Sequence, residues 1–392
     1  MSLKCCERWN YFIDKIKIIG LIVGVLDMGK PKILISTRYS IFDLEGTTIR
    51  AKKVINILVD NFDVYLITRG DEIHEKVPYL DKKNLLIVKP KKTKLWPLKV
   101  IPLLLNQKFD IVICESDWIG FPTYWIFSKL RNYKLVFEAH GVLSEEAKDW
   151  GANNLMVKFY QLVERFCIKN SELVIVLSEE IRKKYSDFNK NVQLIPVFLE
   201  NQNVYSITKN KKPEKALKYV GIIGPFGTTR NEYYAPNFIY NNIDKFDRNI
   251  KFIIIGKCEE QIYHPQINYT GYIDSFEEYL ELLKSIDAVL VIEKKRTSGP
   301  LNKILEPMSL GKPVFTTSKA IFGLDYAKHN FNVLIFKESD LVKNLNKNIF
   351  DSRLIDSISE NAAKTVLKYY DEKSNKNKFI ELLFKLLDKN IL

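Results

Sequence analysis

Short apolar, β-branched runs recur along this chain, and most are followed by a segment of helical period. Buried parallel strands read as continuous apolar runs, and strands alternating with helices imply βαβ units. The pattern predicts strands at 32–36, 64–68, 85–88, 111–114, 134–137, 173–177 and 192–196. Helices are expected at 46–60 and 153–168. The polar stretch Glu200–Glu214, rich in Asn and Lys and carrying Pro213, then breaks the alternation and reads as a linker. Strands resume at 217–223, 252–255, 288–292, 313–316 and 333–336, with helices at 235–246, 276–285, 302–310 and from 340 onward.

The expected class is therefore α/β, with two doubly wound, Rossmann-like domains facing across a cleft. Residues 1–30 form an amphipathic or apolar N-terminal segment, 31–200 the first domain and 201–215 the linker. Residues 216–365 form the second domain, and 366–392 a helix packing back toward the cleft. Ligands of such sheets bind beyond the carboxyl ends of the strands, so the cleft is the expected site.

Lys and Arg number 60 against 47 Asp and Glu, a formal charge of +13. That excludes an acidic solvating chain and points to a polyanion: nucleotide, nucleic acid or anionic membrane. No RNA-binding pattern accompanies the charge, so nucleic acid is not expected. The five Cys show no CxxC, the four His no HExxH, and no DxD occurs, so no metal site is expected. A reducing, cytoplasmic setting follows from the cysteine usage. The apolar run Ile18–Leu26 is too short to span a bilayer, which takes about 20 residues. It reads as a packed helix or as an interfacial one.

Gly24–Lys30 spells GxxxxGK, but Pro31 replaces the Ser/Thr and a strand follows where a helix is required, so it is not a phosphate loop. Gly221–Gly227 is a Gly-rich strand-to-helix turn without GxGxxG spacing. The most specific signal is the segment Ser298–Thr317, in which Lys303, Glu306, Gly311, Pro313 and Val314 form K-x-x-E-x-x-x-x-G-x-P-V. An ordinary exposed Lys–Glu pair at i,i+3 would contribute only about 0.3–0.5 kcal/mol and carry no function. The flanking Gly-x-Pro-Val argues for more. A helix starting near Leu301 would turn free N–H groups on an anion, with Lys303 adding charge and Glu306 accepting from vicinal hydroxyls.

This segment resembles the group 1 nucleotide-sugar glycosyltransferases (glycosyltransferase family 4), which have the GT-B fold. The likeness extends to Leu34–Arg50, whose Gly46 would approach the donor diphosphate, and to Phe137–Gly141, whose His140 would border the donor sugar as a catalytic residue. Val174–Glu180 is similar to an apolar strand followed by a capping Ser. The resemblance implies donor contacts from Gly46, Arg230, Ser298, Gly299, Lys303 and Glu306. Ser298 stands where many members have a Glu that contacts the sugar, and Ile222 where many have an Arg. It further implies retention of configuration, no required cofactor or metal, and a UDP- or GDP-sugar as co-substrate. A nucleotide-sugar epimerase of the same fold and a non-catalytic sugar-nucleotide scaffold are the alternatives.

One basic, aromatic stretch stands apart: Lys91, Lys92, Lys94, Trp96 and Lys99 lead into the apolar run ending at Leu105. It reads either as a solvated loop or as a membrane-surface patch. In the second reading the enzyme would sit on the cytoplasmic membrane face, with a saccharide or lipid-linked acceptor.

Overall fold

The computed structural model describes residues 30–41, 46–69, 84–88, 96–199, 217–224, 226–227, 233–297 and 299–388. The expected N-terminal segment and linker lie almost wholly outside these residues. The first unit opens with β1 (Lys32–Thr37), α1 (Gly46–Leu58), β2 (Asp63–Arg69), β3 (Leu85–Val88), α2 (Trp96–Asn106), β4 (Ile111–Glu115), α3 (Phe121–Arg131) and β5 (Lys134–Ala139). It continues through α4 (Leu143–Asp149), α5 (Asn154–Lys169), β6 (Leu173–Val176), α6 (Glu179–Ser186) and β7 (Val192–Leu194).

The second unit runs β8 (Lys218–Ile223), α7 (Tyr234–Asn241), β9 (Ile250–Ile255), β10 (Ile267–Gly271), α8 (Phe276–Ser285) and β11 (Ala288–Val291). It ends with α9 (Asn302–Ser309), β12 (Val314–Thr317), β13 (Leu334–Phe336), α10 (Glu338–Asn348) and α11 (Ser352–Tyr369), and a last helix, α12 (Glu372–Asp388), follows.

Both sheets are parallel throughout, in the orders β3-β2-β1-β4-β5-β6-β7 and β10-β9-β8-β11-β12-β13. The strand order reverses between β1 and β4 and again between β8 and β11, which opens a crevice at each reversal. Alternate residues of each strand face opposite helix layers. Ile33, Ile35, Ile111 and Ile113 pack with Val54 and Ile55 of α1, while Leu34, Val112 and Cys114 pack with Val100 of α2, Phe121 of α3 and Cys167 of α5. The strand β10 was not anticipated, because at the sheet edge its residues alternate between inward and outward positions and do not form an apolar run.

Helix α11 runs through residue 365 to Tyr369, so the boundary expected at 365/366 falls inside a helix. The chain turns at Tyr370–Asp371, where the Asp371 carboxylate accepts the N–H of Ser374 at 2.8 Å and starts α12. Helix α12 returns to the first unit. Its Phe379, Leu383 and Leu386 join the α1 side of that core, and Phe384 stacks on Phe62 at 5.0 Å. No described helix is long and apolar enough to cross a membrane.

This return predicts that Phe379→Ala, at a fully buried position, destabilises the protein by about 3–5 kcal/mol. Urea unfolding checks it, and a loss under about 1 kcal/mol would mean that α12 adds little to the first core.

Candidate active site

The crevice at the β1/β4 reversal holds a buried polar cluster. Glu115 ends β4, Glu138 lies near the end of β5, and His140 follows it. His140 Nε2 is 2.7 Å from Glu115 Oε2 and 3.7 Å from Glu138 Oε1. Arg50, from α1, donates from Nε to Glu138 Oε1 at 2.7 Å and from Nη1 to the Pro196 carbonyl at 3.2 Å. Its guanidinium lies 4.5 Å from the Phe198 ring. Ser116, held at φ 49°, places its Oγ to accept the His140 N–H at 3.2 Å. A non-glycine residue in that region is strained and persists only where its surroundings fix it. A small recess beside the cluster is lined by Thr37, Tyr39, Ile41, Thr48, Ala51, Glu115 and His140.

Burial pushes Glu115 up to about 7, against the pull of Arg50 and a hydrogen bond with Glu138. Burial likewise raises Glu138 to about 7, opposed by Arg50 and His140 and reinforced by Glu115. One guanidinium faces two buried carboxyls, so the two glutamates titrate as a coupled pair. Burial lowers His140 to about 4, against the pull of Glu138, and the imidazole is neutral at pH 7. Ligand atoms of Glu115, Glu138 and His140 come within 4.8 Å of one another, close enough to hold a metal ion. Arg50 supplies a cationic partner to Glu138 at 2.7 Å.

The second domain meets this cluster directly. A Cβ placed on Gly299 would lie 2.5 Å from the His140 carbonyl oxygen, so only glycine permits the approach. Two residues beyond Gly299–Pro300, α9 begins, with Lys303 in its first turn and Glu306 one turn on. Lys303 Nζ pairs with Glu293 Oε1 at 2.5 Å, and Glu293 lies just past the end of β11. The Tyr279 hydroxyl donates to Glu306 Oε2 at 2.8 Å. Burial raises Glu306, opposed by that hydrogen bond and by Lys53 of α1 in the facing domain. Gly311 and Lys312 close α9: Gly311 N–H donates to Met308 O at 3.0 Å and Lys312 N–H to Pro307 O at 2.8 Å, with Gly311 at φ 62°. That pairing is the Schellman stop, so Gly311 in the motif fixes where the helix ends.

The two domains are pinned around this line. The Asp325 carboxylate accepts the Glu179 N–H at the start of α6 at 2.7 Å, Arg296 pairs with Glu180, and Lys295 donates to the Asp149 carbonyl.

Of the residues singled out in the sequence, Gly299 meets His140 across the crevice, Lys303 and Glu306 follow it on α9, and Gly46 opens the helix whose Thr48 and Ala51 line the recess. Arg230 and Ser298, with Lys91, Lys92 and Lys94, lie outside the described residues. Trp96 opens α2, and Lys99 is exposed on it, in the helix layer on the sheet face opposite α1. Gly224, in the Gly-rich turn, donates its N–H to the Ile255 carbonyl at 2.8 Å, so that amide serves the sheet. Ser178 caps α6, accepting from Ile181 N–H, as its pattern implied. Glu338 and Asp340 lie in the first turn of α10. Arg50, Glu115 and Glu138 were not singled out. Their only trace is a charge set at the end of an apolar run, in IVICE and LVFE.

No family model matches the chain, and no curated protein does. Solved structures do. The chain is similar to HepE of Anabaena in complex with UDP (TM-score 0.70, 16% identity, 90% of this chain and 100% of that one). It is similar to the sucrose-phosphate synthase of Thermosynechococcus elongatus (TM-score 0.72, 13% identity, 92% and 100%). The apo form of the lipopolysaccharide outer core galactosyltransferase WaaB gives a TM-score of 0.65 at 14% identity, over 90% and 99%. These likenesses show that the expected GT-B fold is present.

The cluster yields two expectations. Arg50→Met, which leaves Glu138 buried without its partner, should cost about 3–5 kcal/mol, and adding Glu138→Gln should recover much of that loss. Denaturant midpoints of the two variants decide it, and a double variant as unstable as the single one would mean that Arg50 acts through packing alone. The second concerns pH. A carboxyl raised by folding binds more protons in the native state than in the unfolded one. It therefore favours the fold below about pH 4.5 and loses that advantage as pH climbs toward 7. Glu115→Gln removes this loss, so its melting temperature minus that of the wild type should grow from pH 5 to pH 8. A flat or falling difference would show that Glu115 ionises normally.

Proposed function

We propose that this protein is a retaining glycosyltransferase that moves a sugar from a nucleoside diphosphate sugar to a hydroxyl acceptor. The observation that carries the reading is the contact of Gly299 with His140, which joins the start of α9 to the end of β5 in one crevice. The GT-B architecture supports it, and HepE, the similar structure named above, is a complex with UDP.

In this reading the nucleotide sits against the second domain. Glu306, steadied at one oxygen by Tyr279, accepts from two ribose hydroxyls with the other. Lys303 turns from Glu293 toward the diphosphate, helped by N–H groups at the start of α9. Gly46 lets the α1 backbone approach the same phosphates, and Arg230, Ser298 and Gly299 complete the donor contacts. The anomeric C–O bond to the diphosphate breaks, a bond to the acceptor oxygen forms, and the acceptor proton passes to a donor phosphate oxygen. Lys303 and Arg230 stabilise the charge on the leaving diphosphate. His140, neutral and fixed by Glu115, borders the transferred sugar. No metal is required in this scheme, because Lys303, Arg230 and backbone amides offset the phosphate charge. The acceptor is a saccharide or a lipid-linked saccharide precursor, handled on the cytoplasmic side.

A second reading is favoured by one observation: Glu115, with its proton near neutral pKa, lines the recess with His140. A nucleotide-sugar epimerase needs such proton-transfer groups.

A thermal-shift panel of UDP, GDP, ADP and TDP tests the donor site. One nucleotide at 100-fold its Kd should stabilise the wild type by about 2.7 kcal/mol, and Glu306→Ala should lose the shift. Silence from all four nucleotides at millimolar concentration would sink the proposal. Product analysis with the matching nucleotide sugar then separates a glycosylated acceptor from an epimerised donor.

A further inference from the structure

We propose that the outer layer of the first domain, formed by α2, α3 and α5, docks on an anionic lipid bilayer. These helices cover the face of the sheet opposite α1 and α12 and pack side by side. The Arg131 Nε donates to the Leu104 carbonyl at 3.1 Å, joining α3 to α2, and the Trp125 and Phe166 rings meet edge to face at 5.2 Å, joining α3 to α5.

Their outward faces are apolar where a soluble surface is ordinarily polar. On α5, Leu155 is 77% exposed and Leu162 67%, with Phe159 between them at helical spacing. Leu130 of α3 is 70% exposed, Ile126 lies one turn before it, and Leu98 and Leu105 are exposed on α2. Single exposed apolar side chains are ordinary, but a set of them on three adjoining helices marks an interaction surface.

Charge selects the partner. Neither α2 nor α3 contains an Asp or Glu, and the one acid on α5, Glu164, is buried and accepts from the Tyr185 hydroxyl at 3.0 Å. The same faces expose Lys99, Lys129, Lys158, Arg165 and Lys169. Aliphatic and aromatic side chains interleaved with Lys and Arg, with no exposed acid, suit a helix face lying in the headgroup region of an anionic membrane. A second copy of the chain would bring the same basic face against itself, which its own charge opposes.

The layer also reaches the crevice. Helix α3 follows the carboxyl end of β4, and α5 follows α4, which itself begins just after His140. Trp150, exposed between α4 and α5, neighbours Asp149, whose carbonyl accepts from Lys295 of the second domain. A bilayer under this face therefore brings membrane-borne hydroxyls to the rim of the site, a step that rests on the glycosyltransferase reading, whereas the docking does not.

Flotation of the full chain with vesicles tests the proposal, comparing phosphatidylcholine alone with an equal mixture of phosphatidylcholine and phosphatidylglycerol. The wild type should float with the mixed vesicles and much less with the neutral ones. Lys158→Gln/Arg165→Gln should weaken binding by roughly tenfold or more, and Leu155→Gln/Leu162→Gln should reduce it comparably. All four positions are exposed, and each variant should keep the nucleotide-induced thermal shift of the wild type, so lost docking is told apart from misfolding. Flotation that survives in both variants would place the membrane contact elsewhere in the chain and overturn the proposal. So would an absence of flotation, or a concentration-dependent dimer indifferent to lipid. Flotation with no response to any nucleotide would leave the docking surface standing and remove the donor-site reading instead.

Discussion

A single buried guanidinium ties this molecule together. Arg50 leaves α1 in the first domain, pairs with Glu138 on β5, donates to the Pro196 carbonyl where the chain leaves that domain, and lies over Phe198. The ring of Phe379, on the returning C-terminal helix, sits 6.0 Å from the same group. A fully buried cation is costly unless its partners are fixed. Its presence therefore constrains the first crossover, the exit from the first domain, the last helix and the acidic pair beside His140 to one mutual arrangement. The electrostatics follow: burial raises Glu115 and Glu138 against the pull of Arg50 and holds His140 neutral near pH 7.

The second domain's half of the crevice is built on a different principle. There the partners of Lys303 and Glu306 both come from the second domain itself. Lys303 meets Glu293, Glu306 meets Tyr279, and the Schellman stop at Gly311 fixes the length of the helix that carries them. Tyr279 holds the Glu306 carboxylate in place, an ordering that would lower the cost of binding a ligand there. The close passage of Gly299 over the His140 carbonyl then sets how the two halves register, since even a methyl group there would force them apart.

This division explains what could be read in the sequence. Central parallel strands are buried on both sides, so KILIS, IVIC and LVIVL announced themselves as apolar runs. The K-x-x-E helix was legible because its capping and stop signals are local. Edge strand β10 was not, because exposure leaves it with an alternating composition. Helix was legible across 365, but the boundary drawn there cut through it, because nothing local marks a domain boundary when the core, and not the chain, defines it. Arg50 and Glu138 are 88 positions apart, and Glu115 and His140 are 25 apart. Pairings across a crossover leave no periodic signature, so the chemistry of the first-domain crevice became visible only once the sheet order was known.

The net charge was equally silent until it was placed. An excess of 13 positive charges suits nucleotides, nucleic acids and membranes alike. Nucleic-acid surfaces pair their Lys and Arg mainly with polar and stacking aromatic groups. The face formed by α2, α3 and α5 exposes Leu98, Leu130, Leu155 and Leu162 among its basic residues. Across the sheet, the α1 and α12 side follows ordinary rules: its apolar residues are sealed against each other, and Lys376 of α12 pairs with Asp60 just past α1. The two faces of one sheet thus differ in what they leave to the surroundings. The proposed docking on a lipid surface rests on that combination of aliphatic exposure and positive charge.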